Sequence, residues 1–156
     1  MVALTFTHGN AFGAQVTVDG LGLTLGHGMS RFDPVPGRAN SPGSRKRPLH
    51  NMCPTVVAKD GSPILALGAT GGRLIVNTVF DVLNHSIGEK LALNEAVQAP
   101  RIHTEGDRSL LLNQTWPPAA IERLKRVGYT VRTGGTATLH AIERDAVTGE
   151  LKAAAR

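Results

Sequence analysis

The sequence predicts an α+β fold, an antiparallel sheet with helices packed on one face. Three observations carry that expectation. Short β-rich or alternating segments lie toward both ends of the chain. Helical periodicity is confined to the stretch after Gly72. The order is therefore strands, helices, strands, without the repeating βα rhythm of a doubly wound sheet.

In order along the chain, Val2, Leu4 and Phe6 alternate with Ala3, Thr5 and Thr7, which predicts a strand over residues 2–7. Residues 13–28 are glycine-rich and irregular, with a short strand expected near 15–18. Residues 33–48 gather Pro, Gly and Ser and read as an extended loop. Thr55–Lys59 and residues 63–67 flank Asp60-Gly61, a hairpin signal. Leu74, Ile75, Thr78, Val79, Val82 and Leu83 recur at helical spacing, and Gly88 marks the stop. A second short helix is expected over 94–98, ended by Pro100. A third opens at Pro117-Pro118, with Ile121, Leu124 and Val127 on one face and Gly128 beyond it. Strands near 138–144 and 150–154 close the chain, joined at Thr148-Gly149. No internal repeat or linker divides it, so residues 1–156 are expected to form a single domain.

Composition bounds the function. Apolar residues make up 41% of the 156, enough for a core, while aromatics at 4% leave that core to Leu, Val, Ile and Ala. The net charge of +5 invites the thought of nucleic acid, but the charges are dispersed. The one dense run, Arg45-Lys46-Arg47, has no interleaved aromatics to stack bases, so no nucleic-acid partner is expected. No apolar run approaches the ~18 residues of a membrane span. The N-terminal residues show no basic region followed by an apolar one, and no membrane partner is expected. Cys53 is the sole cysteine and reads as a small buried hydrophobe. The six histidines show no metal spacing, so neither metal nor cofactor is expected.

The most informative local feature is Gly68–Gly72 between a strand and a helix. A helix N-terminus offers unpaired N–H groups and a partial positive charge, and paired glycines let a substrate oxygen come close. Such a junction can hold a phosphate, a carboxylate or a developing oxyanion, or can simply be a tight turn. No Gly-Lys-Ser/Thr follows, so it is not a P-loop.

Around this junction the sequence resembles a family. Arg47-Pro-Leu-His-Asn-Met-Cys-Pro-Thr-Val-Val57, then Asp60-Gly61, Pro63, Gly68 and Gly71-Gly72, is similar to the small-subunit core of γ-glutamyltranspeptidases. Asn84, Ile87-Gly88 and Glu95-Ala-Val-Gln-Ala-Pro-Arg-Ile-His103 follow in the family's order. Upstream, Leu4-Thr-Phe-Thr7, Phe12-Gly13 and Met29-Ser-Arg-Phe32 extend the likeness over most of the chain.

The resemblance implies part of an αββα N-terminal-nucleophile hydrolase sandwich, the C-terminal part of a small subunit cut from a precursor. In that family the small subunit's N-terminal Thr is the nucleophile, with its own amine as base. Thr7 matches the second Thr, which bonds the nucleophile, and Gly71 and Gly72 match the oxyanion-hole glycines. The nucleophile itself has no counterpart, because only six residues precede Thr7. Thr5 is internal and matches a different family residue. The residues that grip the glutamyl ammonium are replaced by Gly9, Gly28 and Arg31, and a cation at Arg31 repels an ammonium. His50 and Asn51 stand where a Ser-Ser pair helps bind the carboxylate. Arg31, His50 and Asn51 are therefore the candidate substrate-binding residues, with Arg31 able to grip a carboxylate or to be a solvated surface charge.

These features lead to the expectation of part of an amidohydrolase or acyltransferase. Its small-molecule amide or peptide substrate lacks the usual γ-glutamyl group, and the chain alone is inactive. The alternative is a truncated, non-catalytic paralogue used for binding or structure. An apolar sheet face and an open edge imply a large-subunit-like partner chain or self-association. Family enzymes are often periplasmic or extracellular, and this chain carries no address of its own.

Overall fold

In the computed structural model, which describes residues 1–113 and 115–156, the chain divides into two units. One is Phe6–His50; the other joins Met1–Thr5 to Asn51–Arg156.

Turns organise Phe6–His50. Its two strands, β1 (Thr17–Val18) and β2 (Leu23–Thr24), are two residues each and pair antiparallel. Gly13 sits at φ +60°, where a Cβ would lie 2.2 Å from the Leu25 carbonyl oxygen. That close approach lets Ala14 N–H donate to the same oxygen at 2.9 Å. A 3-10 turn covers Gly28–Arg31. The Pro-rich loop beyond it is tied by side chains. Asp33 accepts from Val35 N–H at 2.9 Å and pairs with Arg38 at 3.1 Å. The buried Ser41 hydroxyl accepts from Arg38 N–H and donates to Val35 O. Loop backbone that cannot pair in a sheet finds its partners this way.

The second unit holds two sheets. β3 (Thr55–Lys59) and β4 (Ser62–Thr70) form the expected hairpin. Asp60 and Gly61 both have positive φ, 50° and 77°, the signature of a two-residue turn matched to strand twist. After β4 comes α1 (Leu74–Leu83), which widens into a π-helical turn over Asn84–Gly88. α2 (Leu93–Gln98) follows, and the Glu95 carboxylate accepts the Ala92 N–H ahead of it at 3.2 Å.

Next are β5 (Ile102–His103) and β6 (Ser109–Asn113), then α3 (Pro118–Arg126) and β7 (Thr130–Gly134). α3 ends in a Schellman turn: Gly128 (φ +96°) donates to Lys125 O and Tyr129 to Leu124 O. β8 (Thr138–Arg144) and β9 (Leu151–Ala155) complete the chain.

The first sheet is antiparallel in the order β3-β4-β8-β9, and the second has the order β5-β6-β7. Leu65, Leu67 and Ala69 of β4 share a face with Ala137, Leu139 and Ala141. They pack against Ile75, Val79 and Val82 of α1 and Leu93 and Val97 of α2. α1 and α2 thus cover one face, as the periodicity implies. The opposite face carries the cross-strand row Val56–Ala66–Ile142–Ala153, in which Val56 and Ile142 are 45% and 47% exposed.

Three expectations are corrected. Residues 2–7 form no strand: a strand needs a neighbour for its ladder, and none pairs there among the described residues. Val2, Leu4 and Phe6 are instead well exposed. The second sheet was not expected, and it is not wholly antiparallel. β6 and β7 run parallel, joined by α3 as a crossover. Val127, placed on the apolar face of α3, is 62% exposed just past the helix end.

Candidate active site

The glycine turn between β4 and α1 is held from two sides. Gly71 has φ +149°, and a Cβ there would lie 2.7 Å from Ala137, so the β8 approach admits only glycine. Gly72 has φ +60°, and a Cβ there would meet nothing within 4 Å. The first glycine is needed for packing. The second faces open space, where a ligand atom can approach.

The Gly71 and Gly72 carbonyls accept the N–H groups of Leu74 and Ile75, each at 3.3 Å. The Gly72 carbonyl also accepts the Asn51 side-chain amide at 2.6 Å. No acceptor among the described residues takes the N–H of Gly71 or Gly72. Two such N–H groups, at the positive end of α1, suit an oxyanion. Arg73 follows in an ion pair with Glu105.

The other candidates belong to Phe6–His50, apart from the glycine turn and Asn51. There the Thr7 hydroxyl accepts Gly9 N–H at 3.0 Å, capping a tight local turn. His27 N–H donates to His8 O at 2.8 Å, bringing the Gly9 and Gly28 segments side by side. Arg31 ends the 3-10 turn with its side chain exposed, and its carbonyl accepts Asn40 at 2.7 Å. His50 is exposed at the end of this unit. Within the second unit, Asn51 and the two glycines are brought together by hydrogen bonding.

Sequence reasoning missed a buried polar cluster behind the turn. Arg101 is 2% exposed. Its Nη1 donates to Ala137 O at 2.9 Å and Thr136 Oγ1 at 3.2 Å, and its Nη2 to Val97 O at 3.1 Å. Burial, and then Arg156, pull its pKa below the ordinary value. Asp81 of α1 accepts Ile102 N–H at 2.8 Å, and burial raises its carboxyl above the ordinary 3.8. Arg156 donates to Gln98 O at 2.6 Å and so caps the C-terminal end of α2. The only signal in the sequence is Pro100-Arg101-Ile102-His103, and nothing in it says that the arginine is buried. His103, beside it, bonds Asn77 at 3.0 Å and ties β5 to α1.

Among the described residues no three of His, Cys, Asp and Glu gather as a metal centre requires, and no helix is long and apolar enough to cross a membrane.

Known proteins resemble the chain over most of its length. The γ-glutamyltranspeptidase family model matches residues 1–155. The chain is 32% identical over 133 residues to the glutathione hydrolase proenzyme of Bacillus subtilis (strain 168), covering 85% of this chain and 23% of that protein. It is 36% identical over 131 residues to the acylase ACY 1 proenzyme of Pseudomonas sp. (strain SE83), with 84% and 23% covered. The chain thus spans about a quarter of the length of these curated relatives. Among solved structures, the T380A mutant of Helicobacter pylori γ-glutamyltranspeptidase superposes with a TM-score of 0.83 at 28% identity, covering 98% of this chain and 89% of that one. A family match over nearly the whole length, with a shared α+β architecture, leads to one conclusion: the chain belongs to the γ-glutamyltranspeptidase family of N-terminal-nucleophile hydrolases.

Proposed function

We propose that this chain supplies the oxyanion-binding half of an amidohydrolase or acyltransferase active site, acting on an acyl group that lacks the γ-glutamyl ammonium. The observation that carries this reading is the glycine turn. Its two N–H groups lie at the start of α1, and Gly72 faces open space. In an acyl transfer, charge develops on the carbonyl oxygen as the nucleophile adds, and two fixed N–H donors stabilise it most at that moment. Removing one such donor elsewhere costs about 10²–10³ in kcat. The nucleophile is an N-terminal Thr lying outside these 156 residues, and Thr7 bonds it. A large-subunit-like chain, or a second copy, completes the sandwich.

The acyl preference follows from charge. Gly9 and Gly28 offer no side-chain carboxylate or amide to an ammonium, and the exposed Arg31 repels one. Arg31 is suited to a carboxylate, which it can grip with two parallel hydrogen bonds. His50 and the free amide edge of Asn51 add further donors. The likeness to an acylase proenzyme beside glutathione hydrolases supports a substrate range wider than γ-glutamyl compounds.

The test uses two anilides of the same five-carbon diacid, one with the α-amine (γ-glutamyl) and one without. The 156-residue chain alone is expected to turn over neither. Joined to a family segment bearing the N-terminal Thr and a large subunit, it is expected to favour the amine-free anilide. Arg31→Asp is expected to reverse that preference. Preference for the γ-glutamyl anilide in the wild-type assembly would overturn the substrate reading. Turnover that survives Thr7→Ala undiminished would overturn the site.

A further inference from the structure

Behind the glycine turn, α1, β5, β6 and the segment entering β8 line a small, partly open pocket that can hold about one water-sized occupant. Arg101, Asn113, Thr78 and Thr136 supply its hydrogen-bonding groups. Arg101 and Asn113 are 2% and 4% exposed.

Among the described residues, the buried side-chain groups left unmet at this pocket are donors. Arg101 Nε and Asn113 Nδ2 are buried without a partner among the described residues. The Asn113 amide cannot be turned to escape this, because its Oδ1 accepts Arg101 N–H at 3.1 Å and the Thr115 hydroxyl at 3.0 Å. Thr78 and Thr136 face each other at 3.3 Å, and Thr136 Oγ1 already accepts from Arg101. Whichever hydroxyl donates to the other, one O–H proton of the pair is left over.

The pocket is also positively charged and uncompensated at close range. The Arg101 guanidinium donates only to neutral oxygens, and no carboxylate lies within 4 Å of it among the described residues. Asp81 contributes its field from a greater distance and gives its carboxylate to Ile102 N–H. His103 directs Nδ1 at Asn77, and its Nε2 lies 3.8 Å from Glu105, so it offers the pocket no anion. A buried charge without a counter-ion is costly, and buried donors without acceptors add to that cost. Water would meet the donors but leave the charge, whereas an anion accepts from the donors and balances the guanidinium at once.

We propose that this pocket binds one monoatomic anion of the halide class, held by Arg101 Nε–H, Asn113 Nδ2–H and a threonine hydroxyl. The anion neutralises Arg101, and Arg101 holds Ala137 O, the residue against which Gly71 packs. The site therefore braces the glycine turn from behind. It depends on no assumption about the reaction.

The test is thermal unfolding of the 156-residue chain in sodium chloride, bromide and gluconate at one ionic strength. Chloride and bromide are expected to raise Tm saturably, by about 3–6 °C at ten times the apparent Kd, above the linear response to gluconate. Asn113→Asp keeps the Oδ1 acceptor and places a carboxylate oxygen at the anion position, so it is expected to abolish the saturable response. Thr78→Val removes a hydroxyl and is expected to weaken the apparent affinity about fivefold. Crystals soaked in bromide are expected to show an anomalous peak within hydrogen-bonding distance of Arg101 Nε. Equal responses to halide and gluconate, or only a water at that position, would overturn the proposal even if Asn113→Asp failed to fold.

Discussion

The two glycines of the turn look equivalent in the sequence and are not equivalent in the structure. Gly71 is pressed against Ala137, with 2.7 Å to an added Cβ, and its φ of +149° favours glycine. Gly71→Ala is therefore expected to cost about 1–3 kcal/mol in backbone strain, with a similar amount from overpacking. Gly72→Ala meets nothing and adds only the left-handed backbone penalty of about 1–2 kcal/mol. Chemical denaturation of the two variants should separate them clearly, with Gly71→Ala far the less stable. In the assembled enzyme Gly72→Ala should fold yet lose activity, because its methyl occupies the space where an oxyanion would sit. Comparable stability loss in both would mean that Ala137 does not press on the turn. Asn51 belongs to the same logic: its amide donates to Gly72 O and so holds the peptide that follows the two glycines.

Between elements, the Asp81 contact is the most informative. Its carboxylate on α1 accepts the Ile102 N–H of β5 and so pins the second sheet to the helix of the first. Burial raises the Asp81 pKa in the folded state above its unfolded 3.8. The folded state then favours the protonated form. That contribution is fully present below about pH 3.8 and is lost as pH rises through the raised folded value. Asp81→Asn removes the titration and keeps an acceptor for Ile102. Urea midpoints measured from about pH 4 to pH 7 should show wild type losing ground to the variant as pH rises; a constant difference would sink the idea.

The same scale shows what the sequence disclosed. The β3–β4 hairpin, α1 and β8 were legible because turn chemistry and periodicity agree there. The sheet β5-β6-β7 was not. β5 has two residues, and Leu110-Leu111-Leu112 in β6 is a continuous run without alternation. Residues 2–7 alternate well and still form no strand, because alternation cannot supply a hydrogen-bonding neighbour. At the site, glycine chemistry was readable one residue at a time. The burial of Arg101 was not, since a charged side chain carries no local mark of being inside.

For the whole molecule, the second unit presents apolar surface that a finished sandwich would cover. Val56, Ile142 and Leu151 lie on the sheet face away from α1 and α2, at 45%, 47% and 65% exposure. Val2 and Leu4 of the same unit are more exposed still, at 84% and 78%. Surfaces of this kind drive association. Light scattering of the purified chain should find dimers or larger species, and Val56→Lys with Ile142→Glu should shift them toward monomer with the far-UV spectrum unchanged. A wild-type monomer at micromolar concentration would count against it. The sheet's pairing order has a further consequence, for the growing chain on the ribosome. Thr70 pairs with Thr138, so the central strand pair closes a long loop, whereas β3–β4 and β6–α3–β7 are local. During synthesis β4 emerges well before β8, with Leu65, Leu67 and Ala69 lacking that neighbour. α1 and α2, made in the interval, shelter that face until β8 arrives to close it.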